Sequence, residues 1–348
     1  MSDTGIITIG RNEGERLRRC LASVVGRGLV VVYVDSASTD GSADLARSMG
    51  AEVVNLDMSL PFSAARARNA GFERLLKVSP EVRFVQFVDG DCEIVPGWIE
   101  RAKETLESRE GIAVVCGRRR ERFPEQSVYN RIADIEWNTP VGEAKSCGGD
   151  AMMRVSNFTQ AGGYDPSVVA GEEPELCQRL RAKGWKILRI DAEMTLHDSG
   201  MLHFRQWWKR AVRSGYGAMD VATRFGSQGL FVKQVKSARL WSLGWPLATE
   251  AAGVITGFAV GWKWSGVASG IVGLLLPLQM LRTARGVRGR ANSWSDALAY
   301  GFMTMIGKWA NLVGQRQYKR DRAAGKHARL IEYKDAVTTV GAGEAVSP

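Results

Sequence analysis

The sequence predicts an α/β domain, a parallel sheet with helices on both faces, followed by a helical region that attaches to a membrane. Short apolar strands alternate with amphipathic helices up to about residue 116, and apolar stretches lie among basic residues after residue 201. Such alternation calls for a parallel sheet whose ligands bind at the carboxyl ends of the strands. The chain of 348 residues has the length of roughly two domains.

The first three predicted strands are short and are separated from one another by helices. Apolar residues predict strands at 5–10, 29–34 and 51–56, with helical spacing of apolar residues between them. Asp35 follows the second strand directly. We therefore expect its carboxylate at the ligand-binding edge of the sheet.

Two acids follow the next strand and form the centre of the predicted site. Residues 84–88, four of which are apolar, read as a buried strand that leads into Asp89, Gly90 and Asp91. Two carboxylates so placed suit Mg²⁺ or Mn²⁺ bound to phosphate oxygens. The alternative is an acidic turn, because Asp and Gly are common turn residues.

The middle of the chain continues the alternation and adds a basic run. A helix is predicted at 96–108 and a strand at 112–116, and four arginines follow within 118–122. Such a run is more often a solvated face than a site. Gly148 and Gly149 then mark a place where backbone approaches a ligand closely.

A helix opened by acids is predicted next, from Glu172 to about Gly184. Acids favour a helix N-terminus, and Pro174 is tolerated in the first turn, so the pattern is explained without any chemistry. Adjacent residues on a helix project about 100° apart. Glu172 and Glu173 therefore cannot both face the same reacting group.

Charge is distributed unevenly along the chain, whose formal net charge is +10. Residues 1–200 carry 26 Lys and Arg against 30 Asp and Glu, whereas residues 201–335 carry 21 against 6. A basic segment can bind nucleic acid or an anionic membrane surface. The apolar sequence among these charges favours the membrane, and we expect no nucleic-acid partner.

The five cysteines are scattered and odd in number, so neither a disulfide framework nor a zinc site is predicted. They indicate a reducing, cytosolic environment for the domain. The first residues enter a strand without a basic segment and a long apolar run, which argues against a cleaved secretion signal.

Two apolar stretches, 240–262 and 265–281, predict a transmembrane helical hairpin, although Glu250 interrupts the first. Basic residues flank both ends, which predicts that both ends lie in the cytoplasm. A third apolar stretch, 298–313, contains Lys308 and reads as interfacial or re-entrant. The predicted regions are a catalytic domain (1–200), amphipathic interface helices (201–239), the hairpin (240–281), a basic cytoplasmic-face segment (282–335) and a disordered tail (336–348).

Taken in order, the motifs resemble those of the family-2 glycosyltransferases, inverting enzymes of the GT-A fold, and in particular the bacterial membrane-attached members. The resemblance covers roughly residues 5–215. Its motifs are Thr8-Ile9-Gly10-Arg11-Asn12-Glu13, Asp35-Ser36-Ala37-Ser38-Thr39-Asp40-Gly41, Ala67-Arg68-Asn69-Ala70-Gly71, Asp89-Gly90-Asp91, Gly148-Gly149 and Glu172-Glu173 with Gly184-Trp185. It implies a Rossmann-like mixed sheet of the GT-A type with helices on both faces.

The resemblance also implies a role for each candidate residue. Glu173, the second acid of its pair, is expected to be the catalytic base, and Glu172 its neighbour in the site. Asp91, Asp89 and His197 are expected to hold Mg²⁺ or Mn²⁺. The expected donor-binding residues are Ile9, Gly10, Arg11, Glu13, Asp35, Ser36, Ser38, Arg68, Asp89, Gly90, Gly149, Arg210 and Arg213.

The sequence departs from the family at two places. The usual Glu-Asp base pair is Glu-Glu here, and the Gln-x-x-Arg-Trp motif of processive members is replaced by Gln206-Trp207-Trp208-Lys209-Arg210. The expected activity is therefore non-processive transfer of one sugar from a UDP- or GDP-sugar to a lipid-linked acceptor. The expected location is the cytoplasmic face of the inner membrane, in exopolysaccharide or envelope glycan assembly. The alternatives are a polyprenyl-phosphate glycosyltransferase and a catalytically inactive scaffold of a polysaccharide export complex.

Overall fold

The computed structural model describes residues 3–325, and within them nine strands form one sheet. Their spatial order is β3-β2-β1-β4-β8-β6-β9-β5, and β7 also pairs with β9. The strands are β1 Thr4–Gly10, β2 Val30–Asp35, β3 Glu52–Asn55, β4 Phe84–Asp89, β5 Cys92–Ile94, β6 Ile112–Glu121, β7 Gly142–Ala144, β8 Ala151–Arg154 and β9 Lys186–His197.

The first four strands are parallel, and their carboxyl ends meet at one edge. Gly10 is paired with Asp35, and Ile9 with Asp89, so both predicted acids flank the end of β1. The later strands make the sheet mixed, because β8 runs antiparallel to both β4 and β6, and β5 and β7 run antiparallel to β9. This is the mixed sheet that the family resemblance implies.

Helices cover the sheet and continue beyond it. Those of the α/β domain are α1 Glu15–Ala22, α2 Ser42–Ser48, α3 Ala64–Val78, α4 Trp98–Ser108, α5 Val128–Trp137, α6 Val155–Gln160 and α7 Glu172–Ala182. Those after it are α8 Phe204–Phe225, α9 Val232–Arg239, α10 Trp245–Val260, α11 Ser265–Gly273, α12 Leu275–Val287 and α13 Trp294–Ala323. One continuous core, which includes Ile6, Val32, Phe87 and Leu176, lies between the sheet and the first group.

The strand predicted at 112–116 extends five residues further, through Glu121. It pairs in parallel with β9 along this length, with irregularities on both sides of Arg118. The basic run therefore lies inside the sheet, and the prediction of a solvated face is wrong for Arg118 and Arg119, which are largely buried. Arg120 alone fits that prediction, as an exposed ion pair with Glu193.

The helices after residue 204 form two different assemblies. The long helices α8 and α13 pack closely through glycines: an added Cβ at Gly215 would lie 2.3 Å from the carbonyl oxygen of Asn311, and one at Gly314 2.0 Å from that of Val212. The stretch predicted as interfacial or re-entrant is thus the middle of a continuous helix that packs on α8. Glycine makes this close approach of two backbones possible.

The other assembly is the predicted hairpin. Two helical segments among the described residues, Val232–Val260 and Trp262–Val287, are long and apolar enough to cross a membrane by length and composition. Only 11% and 0% of their apolar windows are buried. Gly253 packs against Ser265 and Ser269, a small-residue contact of the kind that joins helices in membranes. The predicted tail at 336–348 lies outside the described residues.

Candidate active site

A cavity of about 520 Å³ opens at the carboxyl ends of β1 and β4, between the sheet, α7 and α8. Most of the predicted site residues line it: Ile9, Gly10, Arg11, Glu13, Ser36, Arg68, Asp89, Gly90, Asp91, Glu172, Glu173, His197, Arg210 and Arg213. Asp35, Ser38 and Gly149 are not part of this lining. The lining also includes Trp137, Phe231 and Gln234, which the sequence did not indicate.

Asp89 is held by two arginines. Arg68 Nη2 donates to its Oδ1 at 2.7 Å, and Arg119 Nη2 donates to its Oδ2 at 3.0 Å. Burial by itself raises the pKa of Asp89, but the two guanidinium groups more than offset this and hold the pKa below its ordinary value. Asp89 therefore stays ionised at the bottom of the cavity.

Arg119 is oriented by a second acid that the sequence-based site omits. Its Nε donates to Asp150 Oδ2 at 2.9 Å, and Asp150 also accepts hydrogen bonds from Thr195 Oγ1 at 2.7 Å and from the backbone N–H of Asp89 at 3.1 Å. Asp150 is fully buried. Its position next to the predicted glycine pair was the one signal that could have pointed to it.

Asp91 and His197 come together at the start of β5, where Cys92 pairs with His197. Asp91 Oδ2 and His197 Nε2 lie 3.2 Å apart. Two ligands about 2.1 Å from a Mg²⁺ ion and at right angles to each other lie about 3 Å apart, so the pair fits a divalent cation. Burial, reinforced by the charge of Arg119, lowers the pKa of His197 to about 4, which leaves a neutral imidazole able to bind metal.

The second ring nitrogen of His197 has a carboxylate near it, but beyond hydrogen-bond distance. Nδ1 is buried and has no hydrogen-bond partner, although Glu121 Oε2 lies 4.0 Å away. A metal-binding histidine ordinarily donates its other N–H to such a carboxylate. The thiol of Cys92 is also near, but burial raises its pKa, and a protonated thiol suits a hard cation poorly. The predicted ligand Asp89 gives its two oxygens to arginine rather than to this pair.

Glu172 and Glu173 have different surroundings, as their helical spacing predicts. Glu172 is buried, and its Oε1 accepts a hydrogen bond from Arg68 Nη1 at 2.8 Å. The carboxylate of Glu173 faces the cavity, with Oε1 3.9 Å from Arg68 Nη2. Burial first, and then the negative charge of Glu172, raise the pKa of Glu173 to about 7. A carboxylate poised near neutral pH suits a general base.

Gly149 leaves the space in which these groups meet. A Cβ at this position would lie 2.7 Å from both Arg68 Nη2 and Asp89 Oδ2, and 3.2 Å from Glu173 Oε1. By contrast, a Cβ at Gly148 would meet nothing within 4 Å. Of the predicted glycine pair, the second is thus the one that the site requires.

Asp35 organises the loop that follows β2. Tyr33 donates its hydroxyl to Oδ1 at 3.0 Å, and the backbone N–H of Ser38 donates to Oδ2 at 2.8 Å. The hydroxyl of Ser38 in turn accepts a hydrogen bond from the backbone N–H of Asn12 at 2.9 Å. Asp35 and Ser38 thus connect the loop after β1 to the loop after β2. Both loops contribute to the lining, through residues such as Asn12 and Ser36.

Trp137, at the end of α5, connects the sheet to α8. Its ring makes an edge contact with His197, with ring centroids 4.6 Å apart. The guanidinium carbons of Arg119 and Arg210 lie 5.4 and 5.8 Å from the centre of the Trp137 ring. Arg210 is held further by an ion pair with Glu136 at 2.8 Å. No pattern in the sequence indicated this tryptophan.

Comparison with known proteins agrees with this fold. Residues 6–156 match the family described as glycosyl transferase family 2. The glycosyltransferase AglE of Haloferax volcanii is 23% identical over 67% of this chain and 77% of its own length. The succinoglycan biosynthesis protein ExoA of Rhizobium meliloti is 26% identical over 51% of this chain, and the pre-mycofactocin glycosyltransferase of Mycobacterium tuberculosis is 27% identical over 64%. The chain spans about half the length of these last two, 55% and 48%.

Among solved structures, the mannosyltransferase PcManGT of Pyrobaculum calidifontis, in complex with GDP-Man and Mn²⁺, superimposes with a TM-score of 0.56. The match covers 92% of this chain and 88% of that protein, at 13% sequence identity, and therefore supports the fold. The family match, the named relatives and the mixed sheet agree with one another. The matched region, residues 6–156, is thus that of a family-2 glycosyltransferase, and the fold is of the GT-A type.

Proposed function

We propose that this enzyme is a metal-dependent inverting transferase that moves one sugar from a nucleotide-sugar donor to a lipid-linked acceptor at the cytoplasmic face of the membrane. The observation that carries the proposal is that the Asp91–His197 pair and Glu173 face one cavity whose outer wall is formed by α8 and α9. That wall continues into the exposed apolar helices.

The donor is bound along the ends of β1, β2 and β4. The loops fixed by Asp35 receive the nucleoside, and Arg210 and Arg213 on α8 face the diphosphate across the cavity. Asp91 and His197 would hold a Mg²⁺ or Mn²⁺ ion, which would supply positive charge to the leaving diphosphate. The complex of PcManGT with GDP-Man and Mn²⁺ is consistent with a GDP- or UDP-sugar donor here.

The acceptor hydroxyl is deprotonated by Glu173. A single cavity-facing carboxylate with a pKa of about 7 fits direct displacement by an activated acceptor, which inverts the anomeric carbon. Glu172 is bound by Arg68 and orients the helix rather than the acceptor. Asp89 and Arg119 keep the opposite wall charged and rigid behind the leaving group.

The lipid-linked acceptor follows from the helices after residue 232. Of the 23 large hydrophobic residues that are exposed in the described part of the chain, 18 lie between Leu240 and Val313. A contiguous apolar surface of this kind marks a membrane or a protein partner. The basic flanks of the hairpin favour a membrane with both ends in the cytoplasm. ExoA, a succinoglycan biosynthesis protein, is a relative consistent with a role in polysaccharide assembly.

A polyprenyl-phosphate glycosyltransferase is the second candidate, because it would need the same donor site and the same membrane attachment. An inactive scaffold is disfavoured, since Asp91, Glu173 and the groups around them are all present.

The test is release of nucleoside diphosphate from a panel of UDP- and GDP-sugars by the full chain in vesicles. The vesicles contain either polyprenyl phosphate or a polyprenyl-diphosphate-linked hexose. We expect transfer with one donor that is abolished by EDTA and restored by Mn²⁺ or Mg²⁺, and reduced at least about a hundredfold in Asp91→Asn. Full activity of Asp91→Asn in EDTA would exclude the metal site, and transfer to neither lipid would exclude the acceptor class. Reporter fusions at Gly229 and Gly325 should behave alike if both lie in the cytoplasm.

A further inference from the structure

Resting on the proposed function, we propose that Phe231 and Gln234 form the surface that recognises the acceptor. In this arrangement, Gln178 keeps that surface in register with the helix that carries the base. The ligand is the polar head of a membrane-anchored acceptor, a sugar whose hydroxyl reaches Glu173.

Phe231 has φ of 70°, in the left-handed region that bulky side chains avoid. Among the described residues, only Asn12 and Ala37 share this property outside glycine. Those two lie in the donor loops that Asp35 and Ser38 tie together. Residues held in such conformations cluster at ligand-binding sites, because the surrounding structure must enforce them. Phe231 lines the same cavity as Asn12.

The surrounding structure that holds Phe231 belongs to the base helix. Gln178 lies on α7, five residues after Glu173. Its Oε1 accepts a hydrogen bond from the backbone N–H of Leu230 at 2.9 Å, and its Nε2 donates to the carbonyl of Gln228 at 3.4 Å. One side chain thus connects the segment before Phe231 directly to the helix of the base.

Beyond Phe231, the chain leads toward the proposed membrane without a break in helical structure. The helix α9 passes through a π-helical turn, Leu240–Gly244, into α10. Gln234 lines the cavity, whereas Leu240, six residues later, is exposed and begins the apolar surface. At 1.5 Å per residue, this separation is about 9 Å, comparable to the size of a sugar with its phosphate.

The chemistry of the two side chains suits a sugar. Pockets for small polar ligands combine an aromatic or apolar surface with a few placed polar groups. The ring of Phe231 provides the flat apolar surface, and the amide of Gln234 can donate to or accept from a hydroxyl. Gln234 Nε2 is only loosely held, at 3.5 Å from Asn311 Oδ1. A ligand can therefore take over this hydrogen bond at little cost.

The test measures Michaelis constants for both substrates in vesicles containing a polyprenyl-diphosphate-linked hexose. Phe231→Gly removes the ring and also suits the left-handed backbone, so its fold is retained. We expect the acceptor KM to rise about tenfold or more, with the donor KM within about twofold. Phe231→Leu should show a smaller rise. Gln178→Ala should raise the acceptor KM as well, without moving the thermal unfolding midpoint of the chain by more than a few degrees.

Phe204→Leu is the matched control, because Phe204 is exposed on α8 and does not line the cavity. It should change neither KM. An unchanged acceptor KM in Phe231→Gly, with wild-type transfer intact, would overturn this inference and leave the proposed function standing. A wild type that releases nucleoside diphosphate but transfers to no lipid would overturn both.

Discussion

The two walls of the cavity are built in different ways. The sheet wall, formed by the ends of β1, β2 and β4 with α7, carries carboxylates, and Asp35, Asp89 and Glu172 are each bound by named donors. The helix wall, formed by α5, α8 and α9, carries the aromatic side chains of Trp137 and Phe231, which do not form such ion pairs. In our proposals the sheet wall holds the reacting groups in a rigid charged network, and Phe231 and Gln234 on the helix wall recognise the acceptor. We therefore expect substitutions of the sheet-wall carboxylates to affect turnover, and substitutions of Phe231 and Gln234 to affect acceptor binding.

The largest effect should come from the base. Glu173→Gln should lower kcat about a hundred- to ten-thousand-fold while donor binding stays nearly normal, because general-base catalysis is lost and shape is kept. Glu172→Gln is the matched control and should lose less, through the orientation of Arg68. Single-turnover transfer and donor titration separate the two effects. Equal, small losses at both positions would mean that the base lies elsewhere.

The next contrast is between Arg119 and Arg120 on β6, and it concerns the free energy of unfolding. Arg119→Ala leaves the buried Asp150 without its charge partner, so the free energy of unfolding should fall by about 3–5 kcal/mol. Arg120→Ala removes only an exposed pair with Glu193, for which about 0–1 kcal/mol is expected. Denaturant titration of the two variants measures the difference. A small, equal effect would show that the interior network around Arg119 is not needed for folding.

The third contrast is between the two glycines Gly148 and Gly149, because only at Gly149 would a Cβ atom contact the site. Gly149→Ala should lower kcat about tenfold or more, because its Cβ would displace Arg68 or Asp89. Gly148→Ala should keep nearly full activity, since its Cβ meets nothing within 4 Å. Steady-state kinetics on both variants is sufficient. If the two alanines behave alike, the space at Gly149 does not limit the reaction.

The smallest effect is a shift in pH dependence. Glu173 acts only when deprotonated, and its pKa is raised to about 7, so kcat/KM should increase with pH up to about 7 and then level off. The negative charge of Glu172 contributes to this rise in pKa. Glu172→Gln should therefore move the rising limb to lower pH. A limb that stays in place in Glu172→Gln, or that persists in Glu173→Gln, would assign the titration to another group.

The order of the motifs was enough to predict the alternating sheet, the two acids after β4 and the cavity-facing Glu173. These features depend on local patterns: a strand that ends in carboxylates, and two adjacent acids at the start of a helix. The predicted resemblance to family-2 glycosyltransferases is confirmed by the family match over residues 6–156. The roles of the individual residues and the boundaries between regions remain predictions.

Tertiary structure decided which of several chemically similar residues enter the site. Arg119 and Arg120 are adjacent residues of the same type, and the place of β6 beside β9 brings one to Asp89 and leaves the other in solvent. Trp137 and Phe231 carry no local signal, because their place in the cavity depends on how separate helices pack on the sheet. Local pattern thus determined the chemistry that one strand or helix end can present by itself. Contacts between elements distant in sequence determined its partners, because neither burial nor charge pairing is encoded in a short segment.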